Sequence, residues 1–228
     1  MRKDARRMID LVRAQTLIFD CDGVVLDSNR LKTEAFRTAA LPYGDAATDA
    51  LVSYHVANGG VSRYVKFSYF LEHIAPEHAP ETTGPGLEAL LAAYAEAVRA
   101  GLLSCTVADG LDELRAATPR ARWMIVSGGD QSELREIFAT RRLDGYFDAG
   151  IFGSPDTKDE ILARELATGT IRHPALFLGD SRLDRDAAVR ADLDFVFVTK
   201  WSEWVEGAAV AKNAGIPMVG CLSDMLED

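Results

Sequence analysis

The stretch Leu17-Ile18-Phe19-Asp20-Cys21-Asp22-Gly23-Val24 decides how the rest of the chain is read. Three apolar residues run, without alternation, straight into an aspartate. Such a run reads as a strand buried on both faces. The pattern recurs. Trp123-Met124-Ile125-Val126 meets Ser127-Gly128-Gly129, Ile151-Phe152 stops at Gly153, Ala175-Leu176-Phe177-Leu178 stops at Gly179-Asp180, and Phe195-Val196-Phe197-Val198 stops at Thr199-Lys200. Helical spacing lies between these runs: Leu134, Ile137 and Phe138 after Asp130, Leu162, Ala163 and Leu166 after Asp156, and Ala187, Ala188 and Ala191 after Asp180. Strands alternating with helices predict an α/β fold with right-handed crossovers and a parallel sheet. Ligands of such sheets sit beyond the carboxyl ends of the strands, where the polar residues ending these runs would meet.

The segment between the first two strands has another character. Leu31, Ala35, Phe36 and Ala39 have helical spacing, as do Tyr64, Phe67, Leu71 and Ile74, and then Leu87, Leu90, Leu91, Tyr94 and Val98. Pro76, Pro80 and Gly84-Pro85-Gly86 interrupt them as loops. The expected organisation is an α/β core of residues 1–28 and 106–228, with an all-helical insert at 29–105. Phe67, Tyr69 and Phe70 read as the insert's own core. The C-terminal piece reads as a helix, a short edge strand at Met218-Val219 and a frayed end.

The 228 residues are 48% hydrophobic and 26% charged, which excludes a disordered chain. A net charge of −10 opposes binding to a phosphate backbone, so no nucleic acid is expected as partner. No apolar run approaches the ~20 residues of a membrane span, and Met1 to Gln15 is charged throughout, unlike a signal peptide. Cys21, Cys105 and Cys221 are odd in number and scattered, which reads as reduced thiols in the cytoplasm.

The strand ends carry the chemistry. Asp20 and Asp22 converge if the chain coils just after the strand, a turn that Gly23 permits. One could then attack an electrophile while the other handles a proton. Asp180 and Asp184 are spaced to face that pair. Four carboxylates at one sheet edge need a cation among them, and oxygen ligands favour Mg²⁺. The hydroxyl and free N–H groups of Ser127-Gly128-Gly129, read as opening a helix, suit a phosphoryl oxygen. Lys158, after Gly153-Ser154-Pro155-Asp156-Thr157, could neutralise it.

The ordered set Asp20-x-Asp22-Gly23-Val24, Ser127, Lys158 and Gly179-Asp180-x-x-x-Asp184 resembles the haloacid dehalogenase superfamily in its phosphatase branch, over nearly the whole chain. Gly179-Asp180-Ser181 with Asp184 and Ala187-Ala188 looks like the phosphoglycolate-phosphatase-like group. The resemblance implies a Rossmann-like core and a helical cap where the insert lies. The second aspartate, Asp22, selects phosphoryl transfer over dehalogenation. Close relatives carry Gly-Lys-Pro where this chain has Gly153-Ser154-Pro155, so the lysine role is carried over to Lys158.

The implied activity is Mg²⁺-dependent hydrolysis of a small phosphorylated metabolite through an aspartyl-phosphate on Asp20, with Asp22 as acid and base. The metal ligands implied are Asp20, the Asp22 main-chain carbonyl and Asp180, with Asp184 orienting Asp180 or binding directly. Ser127, Gly128 and Lys158 would hold the phosphoryl group. Gly60-Val61-Ser62-Arg63 looks like a cap segment of β-phosphoglucomutases whose arginine meets substrate phosphate, which adds Arg63 as a substrate ligand and a phosphosugar mutase as the alternative. The histidine of those mutases falls at Lys32. A non-catalytic metabolite-binding protein on the same fold is the remote alternative. A monomer or homodimer is expected. His55, His73, His78 and His173 show no ligand spacing, and Cys21 reads as core filler.

Overall fold

β1 (Thr16–Phe19) lies inside a six-stranded, all-parallel sheet of order β3-β2-β1-β4-β5-β6. The other strands are β2 (Arg122–Asp130), β3 (Ile151–Ser154), β4 (Ala175–Gly179), β5 (Asp194–Val198) and β6 (Met218–Val219). This is a computed structural model describing residues 11 and 13–226; most of the charged stretch from Met1, and the last two residues, lie outside the described range. Along β1, Leu17 and Phe19 enter one hydrophobic cluster, and Ile18 enters the cluster on the other face. Both faces are therefore covered, which is why the run shows no alternation. Phe19 packs 4.8 Å from the Trp123 ring on one side of the sheet.

Every regular element between β1 and β2 is helical. α1 (Asn29–Ala40), α2 (Asp45–Ala57), α3 (Arg63–Tyr69), a π-helical turn (Phe70–Ile74), α4 (Ala75–His78) and α5 (Leu87–Ser104) make up the insert, and α6 (Leu111–Ala117) then leads back into the sheet. Phe36, Phe67, Phe70, Leu90 and Tyr94 fill the insert's interior. Tyr69, expected there, lies on the surface, 38% exposed and stacked on Tyr54 at 4.2 Å. The two linkers to the sheet run side by side: Asp27 N donates to Thr106 O and Ala108 N to Val25 O, each at 2.9 Å.

The crossover helices are α7 (Gln131–Thr140), α8 (Lys158–Ala167), α9 (Arg182–Arg190) and α10 (Gly207–Ala214). On α8 the buried face is Lys158, Ile161, Leu162 and Glu165, and Ala163, expected on it, is exposed. β2 does not end at Val126 as expected. It continues irregularly through Ser127-Gly128-Gly129 to Asp130, which caps α7 by accepting from Glu133 N at 2.9 Å. Nor is the C-terminus frayed up to residue 226: Leu222 and Met225 are buried on a 3-10 turn.

Candidate active site

Asp20 is the first residue beyond β1. Its Oδ1 accepts from Cys21 N at 2.7 Å and lies 3.0 Å from Lys158 Nζ. Lys158 opens α8 behind a capping box of Thr157 and Glu160, which fixes where that helix begins. Its ammonium also pairs with Asp184 Oδ1. Asp184 Oδ2 receives the N–H and hydroxyl of Ser181, at 3.0 and 2.6 Å, in the capping box of α9. Ser181, not Asp180, is therefore the helix cap, and Asp180 is left for other work. Asp180 Oδ2 accepts from Asn29 Nδ2 at 2.7 Å, and Ser202 Oγ donates to its main-chain carbonyl at 2.5 Å.

One carboxylate oxygen from each of Asp20, Asp180 and Asp184 lies within 4.8 Å of the others, and all three residues are buried. Burial pushes the Asp20 carboxyl up to about 7, with Asp184 adding to the rise and Lys158 opposing it. Burial, then Asp184 and Asp20, holds Asp180 well above the ordinary carboxylate range. Lys158 stays charged above its usual range because Asp184 and Asp20 outweigh its desolvation. Three buried carboxylates beside one ammonium leave an excess of negative charge and an all-oxygen donor set, which fits a hard divalent cation. A glycine is required at 23, where φ is +76° and a Cβ would stand 2.1 Å from Asp180 Oδ2.

The Asp22 carboxylate is not in that cluster. Ser28 Oγ donates to its Oδ1 at 2.6 Å, and Lys32 Nζ lies 2.5 Å from its Oδ2. Burial works to raise the Asp22 carboxyl, but Lys32 outweighs it and holds the group below its ordinary value. Burial raises the Cys21 thiol well above its usual range, in keeping with core filling. Ser127 is fully buried with its Oγ accepting from Gly129 N at 3.1 Å, in the irregular end of β2 and not at a helix start. Gly128 is pinned between layers: Ser154 Oγ donates to its carbonyl at 2.7 Å, and a Cβ would stand 2.0 Å from Gly60 O of the insert.

That close approach shows the insert seated over the strand ends. Together they enclose a cavity of about 60 Å³, lined by Asp20, Asp22 and Asp180 below and by Lys32, Arg63 and Lys66 above. Arg63 Nη2 donates to Glu133 Oε2 at 2.9 Å, and its Cζ lies 5.0 Å from the Tyr94 ring centroid. Tyr64 likewise reaches across to Asp130 Oδ2, at 2.8 Å. His55 shows no ligand spacing in the sequence, and its surroundings are set by packing. It is buried against Lys66, which is itself 1% exposed. Asn29, Lys66, Glu133 and Glu203 also line the cavity and were not foreseen. The only signal for two of them was helical spacing, Lys66 one turn after Arg63 and Asn29 one turn before Lys32.

A model of the haloacid dehalogenase-like hydrolases matches residues 14–192. The chain belongs to that family. Family members generally use a divalent metal, which agrees with the donor set. The fold is shared with a predicted phosphoglycolate phosphatase from Haemophilus somnus 129PT (TM-score 0.71, 16% identity, covering 94% of this chain and 97% of that one). It is also shared with a predicted phosphatase from Clostridium acetobutylicum (0.69, 18%, 93% and 96%) and a haloacid dehalogenase-like protein from Streptococcus pneumoniae (0.60, 17%, 93% and 97%). No curated protein matches the chain. Among the described residues no helix is long and apolar enough to cross a membrane.

Proposed function

We propose that this haloacid dehalogenase-like hydrolase is a Mg²⁺-dependent phosphatase of a small phosphorylated metabolite. One observation carries the reading. Lys158 Nζ reaches both Asp20 and Asp184 inside a buried carboxylate triad, while Asp22 stands apart with partners of its own. That is a nucleophile beside a charge-neutralising group, with a separate proton carrier. Residues 29–105 act as the cap of a core formed by 1–28 and 106–228. Relatives of the same fold named as phosphatases support the choice.

A carboxylate oxygen of Asp20 attacks phosphorus, and the bond to the leaving oxygen breaks as the aspartyl-phosphate forms. Asp22 hands the leaving oxygen a proton shared with Lys32. It then takes a proton from the water that attacks the aspartyl-phosphate, which restores the pair. Ser127, the Gly128 N–H and Lys158 hold the phosphoryl oxygens where charge develops. Asp20, Asp180 and the main-chain carbonyl of Asp22 would hold Mg²⁺, which supplies positive charge against the phosphoryl group. Asp184 spends its oxygens on Lys158 and Ser181, so it acts as a positioning residue for Lys158. Arg63 reads an anionic part of the substrate. The free cysteines suit the cytoplasm, and we propose a monomer or homodimer.

The experiment is turnover of a panel of phosphorylated metabolites with Mg²⁺ and with EDTA. Stoichiometric phosphate release that EDTA abolishes is expected, and Ca²⁺ should replace Mg²⁺ poorly. Conversion of a sugar 1-phosphate to the 6-phosphate without free phosphate would identify a mutase instead. Full activity in EDTA would overturn the metal assignment.

A further inference from the structure

The start of α1 is spent on the core and not on its own helix. Ser28 stands at the N-cap position, yet its hydroxyl donates to Asp22 Oδ1 at 2.6 Å and makes no capping bond. Helix N–H groups that a cap would satisfy are left without that acceptor. Asn29 follows as the first residue of α1. Both N–H groups of its amide also go to the core: Nδ2 donates to Asp180 Oδ2 at 2.7 Å and to Trp201 O at 2.9 Å. Trp201 lies in the loop between β5 and α10. In the same loop Ser202 Oγ donates to the Asp180 carbonyl at 2.5 Å. Asp180 is therefore held twice, at its carboxylate by α1 and at its main chain by the loop. Glu203, next in that loop, also faces the insert. Burial raises its carboxyl, and Lys66, then Arg30 and Thr33, oppose the rise.

The chain passes between core and insert twice, and the two linkers are paired by Asp27 N to Thr106 O and Ala108 N to Val25 O. Asn29 lies two residues beyond Asp27, on the insert side of that pairing. Any tilt of the insert about the linkers carries Asn29 with α1, while Asp180 stays at the end of β4. A bond of 2.7 Å leaves hydrogen-bonding range when its atoms part by about 1 Å. The contact that aims the Asp180 carboxylate therefore exists only while the insert is seated. Resting on the cap and metal readings above, we propose that Asn29 is a positioning residue that couples the seating of the insert to metal binding. With the insert seated, Asn29 aims Asp180 at the metal. By linkage, the bound metal favours the seated insert by the same factor.

The test uses Mg²⁺ alone, followed by calorimetry and by hydrogen–deuterium exchange, so that no turnover is read. Asn29→Leu should weaken Mg²⁺ binding roughly tenfold or more, the loss typical of a residue that orients a metal ligand. Gly59 gives an independent handle. A Cβ there meets only Ser181 Cβ, at 3.5 Å, so Gly59→Ala should bind Mg²⁺ as wild type does, whereas Gly59→Trp wedges the insert away from the start of α9. The wedge leaves Asn29 unchanged and should still weaken Mg²⁺ binding. The double variant should bind no more weakly than the weaker single variant, because one contact is lost by either route. Mg²⁺ should slow exchange over residues 58–66, where the insert meets Gly128 and α9, in wild type and not in Asn29→Leu. Three results would overturn the coupling: losses that multiply in the double variant, equal protection of 58–66 in Asn29→Leu, or wild-type Mg²⁺ affinity in a Gly59→Trp protein whose 58–66 segment exchanges faster. Failure of Mg²⁺ to bind wild type at all would overturn the metal assignment, and the coupling with it.

Discussion

Lys158 Nζ stands 3.0 Å from Asp20 Oδ1, joining the start of α8 to the end of β1 at the centre of a buried acidic cluster. The contact neutralises only part of the charge that Asp20, Asp180 and Asp184 bring together.

Asp20→Asn should lower turnover by more than a hundredfold, since a carboxamide is not a useful nucleophile. The same change removes a buried charge that Asp184 and burial already oppose. Thermal denaturation without metal should give a Tm equal to or above that of wild type, the usual trade between activity and stability at a strained site. A clearly lower Tm would mean that Asp20 is structural.

Asp22→Ala should harm poor leaving groups far more than good ones. An alkyl phosphate needs its leaving oxygen protonated, whereas p-nitrophenolate barely does. Lys32 would lose its 2.5 Å partner, so the comparison is best made as a ratio of kcat/KM values within each variant. Equal losses on both substrates would remove Asp22 from the acid role.

Gly23→Ala should raise the Mg²⁺ concentration needed for half-maximal activity at least tenfold. A methyl group at that place meets Asp180 Oδ2 and Asn29 Nδ2, at 2.1 and 2.5 Å, so the carboxylate must move. The positive φ adds strain of about 1 kcal/mol or more, readable by urea denaturation. Unchanged metal dependence would show that Asp180 is not held by this turn.

His55 predicts an acid-sensitive fold. Its folded value, about 2, lies below the unfolded value of about 6.5. Above pH 6.5 both states are neutral and nothing is lost. Below it the unfolded chain binds a proton that the folded chain refuses, so stability falls as pH falls. Between pH 7 and pH 5 that amounts to about 2 kcal/mol. His55→Gln should remove this part of the dependence in denaturation curves at the two pH values; an identical loss in the variant would clear His55.

The strands that run out at Asp20 and Asp180, and the apolar part of β2 before Ser127, were legible because a doubly buried strand is continuously apolar and gives way where polar chemistry begins. The order of those stops was enough to state the resemblance, and Lys158 was reached through it despite the altered motif before it. The sequence also marked the insert as helical, since its apolar spacing switches to the helical period. Ser127 was misread as a helix start because an irregular strand and a helix N-terminus can carry the same Ser-Gly-Gly. What only the tertiary structure decided is which groups share the cavity. Lys32 on α1 against Asp22 in the turn after β1, Lys66 on α3 against His55 on α2, and Arg63 on α3 against Glu133 on α7 are side-chain meetings between separate elements. Local periodicity reports which face of a helix is buried, but not what that face is buried against. A histidine without ligand spacing looks ordinary until packing removes water from around it and leaves a lysine as its partner.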